Sequence, residues 1–276
     1  MRILLTNDDG IYAPGLRALR RELMKLGEVH VVAPATEQSA TGHSVTLLAP
    51  LLVTEVFDDD LSFLGWAVEG RPADCMKLAL LELLKEPPDL VVSGLNAGSN
   101  AGINVLYSGT VAAAIEAAFY GYTAVACSLE YTKDARLDWP RAAVHAREIV
   151  ERILAHTPAR GSLFNVNIPP LERGAVKGVR VMPQNVSTYF EKFDRRTNPR
   201  GRIYFWTSPE FHCPEPHPDT DVTALAEGFI TVTPLQFNLT DRAKLAEMGS
   251  WDWGTEEPDA KSSARSQGRA DTGEAP

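Results

Sequence analysis

The residues Ile3 to Leu5 form a continuous apolar run that stops at Thr6-Asn7-Asp8-Asp9-Gly10. A strand buried on both faces reads like that run, and ligands of open α/β sheets bind beyond the carboxyl ends of the strands. Adjacent carboxylates repel one another and are costly to desolvate without a partner. A divalent cation at Asp8 and Asp9 relieves both costs. Oxygen-only ligation selects magnesium or manganese over structural zinc. The competing reading is that the two acids cap a helix starting near Pro14.

Two further loops carry uncharged oxygen donors. Ser39 lies in TEQSATGHS, after a segment rich in valine, and Asn96 lies in VSGLNAGSN, after Val91-Val92. Both loops are expected on the same sheet edge as the acids, where Asp8, Asp9, Ser39 and Asn96 fill part of a six-oxygen shell and leave a position open for substrate. Singly, each reads as turn chemistry; it is the set that points to a ligand shell. Asn100, Ser108 and Thr110 add hydrogen-bonding groups, and Thr110 stands at the start of an alanine-rich helix whose free N–H groups favour a phosphate. No GKS or GKT follows a glycine loop and GxGxxG is absent, which excludes a Walker loop and a dinucleotide fingerprint. His43, close to Ser39, is a candidate general acid or charge stabiliser, against the alternative of a loop histidine held by hydrogen bonds. Cys75 falls in an apolar helix and reads as core packing. The basic cluster Arg195, Arg196, Arg200 and Arg202 is either a solvated loop or a recognition element for a nucleotide.

These groups need a scaffold, and the pattern supplies one. Pro14 opens a helix with Leu16, Leu19, Leu23 and Leu26 on one face, and Glu28 to Pro34 is a strand. Ala73 to Leu84 is helical, Asp89 to Ser93 a strand, and the segment from Gly109 a helix before the strand Thr123 to Ser128. Arg141 to Leu154 is a helix and SLFNVNIPP a strand. Alternation of this kind predicts an α/β fold with a mostly parallel sheet and crossovers on both faces. Residues 1–170 form that core. Residues 171–250 form a β-rich extension with a closing helix over Asp241 to Met248, and Tyr204, Phe205 and Trp206 give it more aromatic surface than it can bury alone. Residues 251–276 are polar and small enough to predict a disordered tail. With 276 residues, 44% of them hydrophobic, a sizeable core is within reach, and a net charge of -9 argues against binding polymeric nucleic acid. Three scattered cysteines make no disulfide framework, and no long apolar span or signal peptide is present; a cytoplasmic protein is expected.

The ordered set ILLTNDDG, EQSATGHSVT, PADC, VSGLNAGSNAG, YSGTV, DRRTNPRGRIYFW and TVTPL resembles the SurE family of stationary-phase survival proteins, over about residues 1–240. The resemblance implies a Rossmann-like three-layer core with an exchanged carboxyl-terminal arm, assembled as homodimers and sometimes homotetramers. It implies a metal-dependent phosphatase acting on nucleoside 5′-monophosphates and often 3′-monophosphates, with some members cutting short polyphosphate. The family's ligands carry over onto Asp8, Asp9, Ser39 and Asn96, and its active-site surroundings onto Asn100, Ser108, Gly109 and Thr110. Two positions depart from the family pattern: Arg71 stands where threonine is usual, and Ala112 where glycine is common.

The chemistry so expected is hydrolysis of a phosphate monoester, with one magnesium or manganese ion per subunit polarising the phosphate and activating water. Attack by Asp8 itself is a second route. Two other classes fit the same residues: a nucleotide-binding protein without turnover, and a glycosyltransferase holding a nucleotide diphosphate through an aspartate pair.

Overall fold

The computed structural model describes residues 1–132, 135–187, 192–207 and 216–254. Residues Met1–Phe237 make one compact unit, and a second begins at Asn238. In the first, β1 (Arg2–Thr6), β2 (Glu28–Pro34), β4 (Phe63–Val68), β5 (Leu90–Ala97), β6 (Ala124–Leu129) and β7 (Leu163–Ile168) are parallel, flanked by β3 (Val53–Phe57), β8 (Val179–Val181) and β11 (Ile230–Leu235). Among the described residues the sheet order is β3-β4-β2-β1-β5-β6-β7-β11-β8, with β3 and β11 antiparallel to their inner neighbours β4 and β7.

Periodicity explains the layers. Ile3 and Leu5 of β1 join the cluster under α1 (Pro14–Leu23) and α4 (Trp139–Ala155). Leu4 faces the other way, into the cluster under α2 (Pro72–Leu78) and α3 (Gly109–Phe119). That alternation buries both faces of the strand, worth roughly 1.5–3 kcal/mol for each large side chain. The result is a three-layer, Rossmann-like α/β core, as expected. The chain leaves β1 toward β2 on one side and reaches β5 on the other, so the crevice of the fold opens where β1 and β5 end.

The strands over Glu28 to Pro34 and the helix from Pro14 lie where the sequence predicts them. Three details differ. Strand β5 runs on to Ala97, pairing Asn96 with Ser128 beyond an irregularity after Ser93. The helix predicted over Ala73 to Leu84 is α2 followed by a turn of π-helix, Ala79–Leu83. The arginine cluster provides β9 (Phe193–Thr197), paired with β10 (Ile203–Thr207) in a hairpin separate from the main sheet. A short helix, α5 (Asp221–Ala226), precedes β11. The second unit contains α6 (Arg242–Met248), capped by Asp241, whose carboxylate accepts the Lys244 N–H at 2.9 Å. The expected disordered tail lies outside the described residues from position 255 onward, as does Cys213.

Candidate active site

The carboxyl end of β1 turns sharply, because the Asn7 amide closes on Gly10: Nδ2 donates to the Gly10 carbonyl at 3.0 Å, and Oδ1 accepts the Gly10 N–H at 3.1 Å. That turn presents Asp8 and Asp9 toward the crevice. They do not cap α1, whose N-cap is Ala13 with no side-chain bond. Instead the Thr110 hydroxyl donates to Asp8 Oδ1, and the Ala97 N–H donates to Asp9 Oδ2 at 3.3 Å. Asp8 is only 5% exposed.

Helix α3 comes close to Asp8 because residue 109 is glycine. A Cβ there would lie 2.8 Å from the Asp8 Cβ, closer than side chains pack. The Ser108 hydroxyl accepts the Val111 N–H at 3.0 Å and caps the helix. Its buried alanines, Ala112, Ala113, Ala114, Ala117 and Ala118, let the helix lie close on the sheet.

Asp8, Ser39, Asn96, Asn100 and Ser108 line one cavity of about 220 Å³, together with Tyr107. Asp9 reaches it through Ala97 and Thr110 through Asp8. His43 does not line it: its Nε2 lies 2.6 Å from Glu116 Oε2, on α3. Of the eight residues the sequence singles out, five line this cavity, Asp9 and Thr110 bond to its lining, and His43 bonds to α3 instead.

The loop after β5 is held by groups the sequence reading passed over. The Asn100 N–H donates to Asn167 Oδ1 at 2.7 Å, its Nδ2 to Ser128 Oγ at 2.7 Å, and its carbonyl accepts from Asn165 Nδ2 at 2.8 Å. Asp221 accepts the Gly102 N–H at 2.8 Å. Asn165 and Asn167 were legible in principle, as two asparagines at alternate positions in an otherwise apolar strand. A third carboxylate, Glu37, also went unread; it accepts the Ser39 hydroxyl at 2.5 Å.

Electrostatically the centre is short of positive charge. Burial raises the Asp8 pKa, Thr110's hydrogen bonds oppose it, and Glu37 adds to the rise. Burial and the neighbouring Asp8 charge push Asp9 up to about 6, against the Ala97 N–H. Among the described residues no basic side chain lines the cavity.

A hard cation fits this donor set. Each carboxylate has about four lone-pair sites and spends few of them on the protein. Asn96 donates through Nδ2 to the Gly98 carbonyl at 2.7 Å, which turns Oδ1 the other way. Ser39 gives its proton to Glu37, so its oxygen lone pairs face outward. Among the described residues no group of three or more His, Cys, Asp or Glu could hold a metal; a cation here relies on two carboxylates and neutral oxygens, as magnesium and manganese tolerate. Cys75 and Cys127 take no part: both are buried, and burial raises both thiols, Cys127 to about 12.

The chain is similar to known proteins along most of its length. The family model described as survival protein SurE matches residues 3–191. A 5′-nucleotidase SurE of Rhodopirellula baltica is 53% identical over 255 residues, spanning 91% of this chain and 98% of the relative. Another, of Heliobacterium modesticaldum, is 44% identical over 258 residues and spans 94% of each. Among solved structures, the SurE protein of Aquifex aeolicus is similar with a TM-score of 0.77 and 34% identity, over 90% of this chain and 98% of that one.

Proposed function

Since the chain belongs to the SurE family of 5′-nucleotidases, we propose that it hydrolyses nucleoside 5′-monophosphates, and 3′-monophosphates as well, using one magnesium or manganese ion per subunit. Asp8, Asp9, Ser39 and Asn96 would hold the ion. When bound, it supplies charge to offset the phosphate and the transition state and lowers the pKa of water. The observation that carries this reading is the aspartate pair, Asp8 buried and Asp9 half-buried, with no basic partner among the described residues, at a cavity edged by neutral oxygen donors.

The chain's own groups have distinct tasks. Thr110 orients Asp8, and the Ala97 N–H orients Asp9. Asn100 and Ser108, held by Ser128 and by the first turn of α3, present polar edges to the phosphate oxygens. A cavity of about 220 Å³ suits a phosphate group better than a whole nucleotide, so the nucleoside extends to the mouth, where half-exposed Tyr107 offers a ring. His43 enters through the loop that carries Ser39, because its Nε2 is committed to Glu116.

The assembly we favour is a homodimer, or a dimer of dimers, formed by exchange of the β9–β10 arm. The hairpin's exposed Phe193, Ile203, Tyr204, Phe205 and Trp206 support it. No helix among the described residues is long and apolar enough to cross a membrane; with unpaired thiols at Cys75 and Cys127, the cytoplasm is the compartment we assign. Net charge of -9 favours small anionic substrates gathered by a cation over polymeric nucleic acid.

The test is phosphate release from AMP and GMP, in both 5′ and 3′ forms, with magnesium or manganese against EDTA. Metal-dependent release is expected. Nucleotide binding without release would leave a sensor rather than an enzyme, and release unaffected by EDTA would remove the ion from the reading.

A further inference from the structure

Ser39 sits at the exposed tip of the loop over residues 36–46, next to Ala40, whose φ is +55°. A residue with a Cβ enters that left-handed region at a cost of about 1 kcal/mol, and stays there only where its surroundings over-determine it. The surroundings here are anchors from five residues. The Gln38 N–H donates to the Asp8 carbonyl at 2.7 Å, and the Arg71 guanidinium donates to the Gln38 side chain. The Gly42 N–H donates to the Tyr107 carbonyl at 3.0 Å, and the Thr46 N–H to both Asp74 oxygens at 3.0 and 3.1 Å. The fifth is His43, whose Nε2 meets Glu116 Oε2 at 2.6 Å.

Glu116 is a carboxylate on the alanine-rich helix α3, 6% exposed, and it has no part in the chemistry proposed above. Burying such a charge is costly unless it is paired. His43 Nε2 stands 2.6 Å from Oε2 and Lys77 Nζ 3.3 Å from Oε1, so both oxygens are engaged. Burial raises the Glu116 pKa, yet His43 and Lys77 together bring it below the ordinary carboxylate value. The same helix holds Asp8 through Thr110. Six positions separate Thr110 from Glu116, about 9 Å along the axis. One rigid element thus references both a carboxylate ligand and the loop that carries a hydroxyl ligand.

We propose that Glu116, with Lys77 as its second partner, is a positioning residue that clamps His43 and so fixes the Ser39 loop against Asp8, setting the affinity of the site for its divalent cation. The inference rests on the reading of Ser39 as a ligand. It gives His43 a task at the loop rather than at the substrate. Outer partners of metal ligands are worth roughly 10- to 100-fold in metal affinity.

The experiment is manganese titration of the full chain by calorimetry, with hydrogen exchange of the loop amides as a readout independent of metal. Glu116→Gln should weaken manganese binding about tenfold, speed exchange at Ser39 and Ala40, and leave kcat at saturating manganese and its pH profile as in the parent. His43→Ala, on a part-exposed loop residue that the core does not need for folding, should show the same loss of affinity. The double variant should be no worse than either single one, because both break one contact. Unchanged loop exchange in both variants would overturn the clamp. So would multiplying losses in the double variant, or a displaced pH profile in His43→Ala, since His43 would then act independently of Glu116. Should Asp8→Asn leave manganese affinity intact, the metal site itself would be wrong, and the loop exchange would still report on the clamp.

Discussion

The crevice beyond β1 and β5 and the hairpin of β9 and β10 are built on opposite terms. Around the crevice the loop that carries the candidate ligands is held from inside the chain: Asn100 alone is fixed from β6 and β7 by three hydrogen bonds. The hairpin has the reverse character. Across its register, Phe193, Arg195, Thr197, Ile203, Phe205 and Thr207 share one face, and Asp194, Arg196, Tyr204 and Trp206 the other. Trp206 is 60% exposed and Phe205 58%, on opposite faces. A lone two-stranded hairpin is marginal in water, and one with aromatic groups on both faces calls for cover. The chain positions its crevice residues from within; it does not cover its arm.

If that contrast holds, the two regions should fail separately. Asp8→Asn keeps the shape and removes the charge that faces the cation, and should lower nucleotide hydrolysis by about 10³-fold or more while the protein remains assembled. Activity within tenfold of the parent would remove Asp8 from the chemistry. Replacing Tyr204, Phe205 and Trp206 together by serine should do the opposite. Assembly measured by light scattering should collapse toward the monomer, a change of about 10²-fold in the association constant, with manganese still bound. An unchanged oligomer would show that the arm's aromatic groups are not its contacts.

The crevice was also more legible than the arm. Ile3 to Leu5 and Val91-Val92 read as buried strands because both faces are covered, and the acids and asparagines that follow them stand out against the apolar runs. Strands β3 and β4 went unread. Val53–Phe57 is an edge strand with one buried residue, Val56, so it carries no clean alternation. Strand β9 was read as a charged loop for a related reason: Phe193–Thr197 is exposed along its whole length, and Arg195 and Arg196 look alike whether paired or solvated. Contacts between distant elements left no local trace either. Glu116 looks like any helix glutamate, and nothing near it in sequence announces His43.

Gly109 tests how tightly the crevice is fitted. Its absent Cβ is what allows α3 to meet Asp8, and alanine there would place an atom 2.8 Å from the Asp8 Cβ and 3.0 Å from its Oδ2. One of the two must move. A displacement near 1 Å at a reacting centre costs up to about 10²-fold, so Gly109→Ala should lose about 10- to 100-fold in kcat/KM with little change in melting temperature. Parent-like activity would mean that the helix can retreat without moving the carboxylate.

The smallest effect is the most direct probe of the crevice's charge. Asp9 has its pKa raised from 3.8 to about 6 by burial and by Asp8. Between those values the folded state binds more protons than the unfolded one, so stability from this group falls as pH rises through the window. The metal-free protein should therefore lose about 1–2 kcal/mol more than an Asp9→Asn variant between pH 4 and pH 7, after allowance for solvent screening. Manganese should restore the difference at pH 7 and do little at pH 4, where protonated carboxylates cannot hold it. Thermal melts of both proteins over that range, with EDTA and with manganese, measure the term. If the parent gained on the variant as pH rose, Asp9 would already have a cationic partner in the chain, and the crevice would need no added cation.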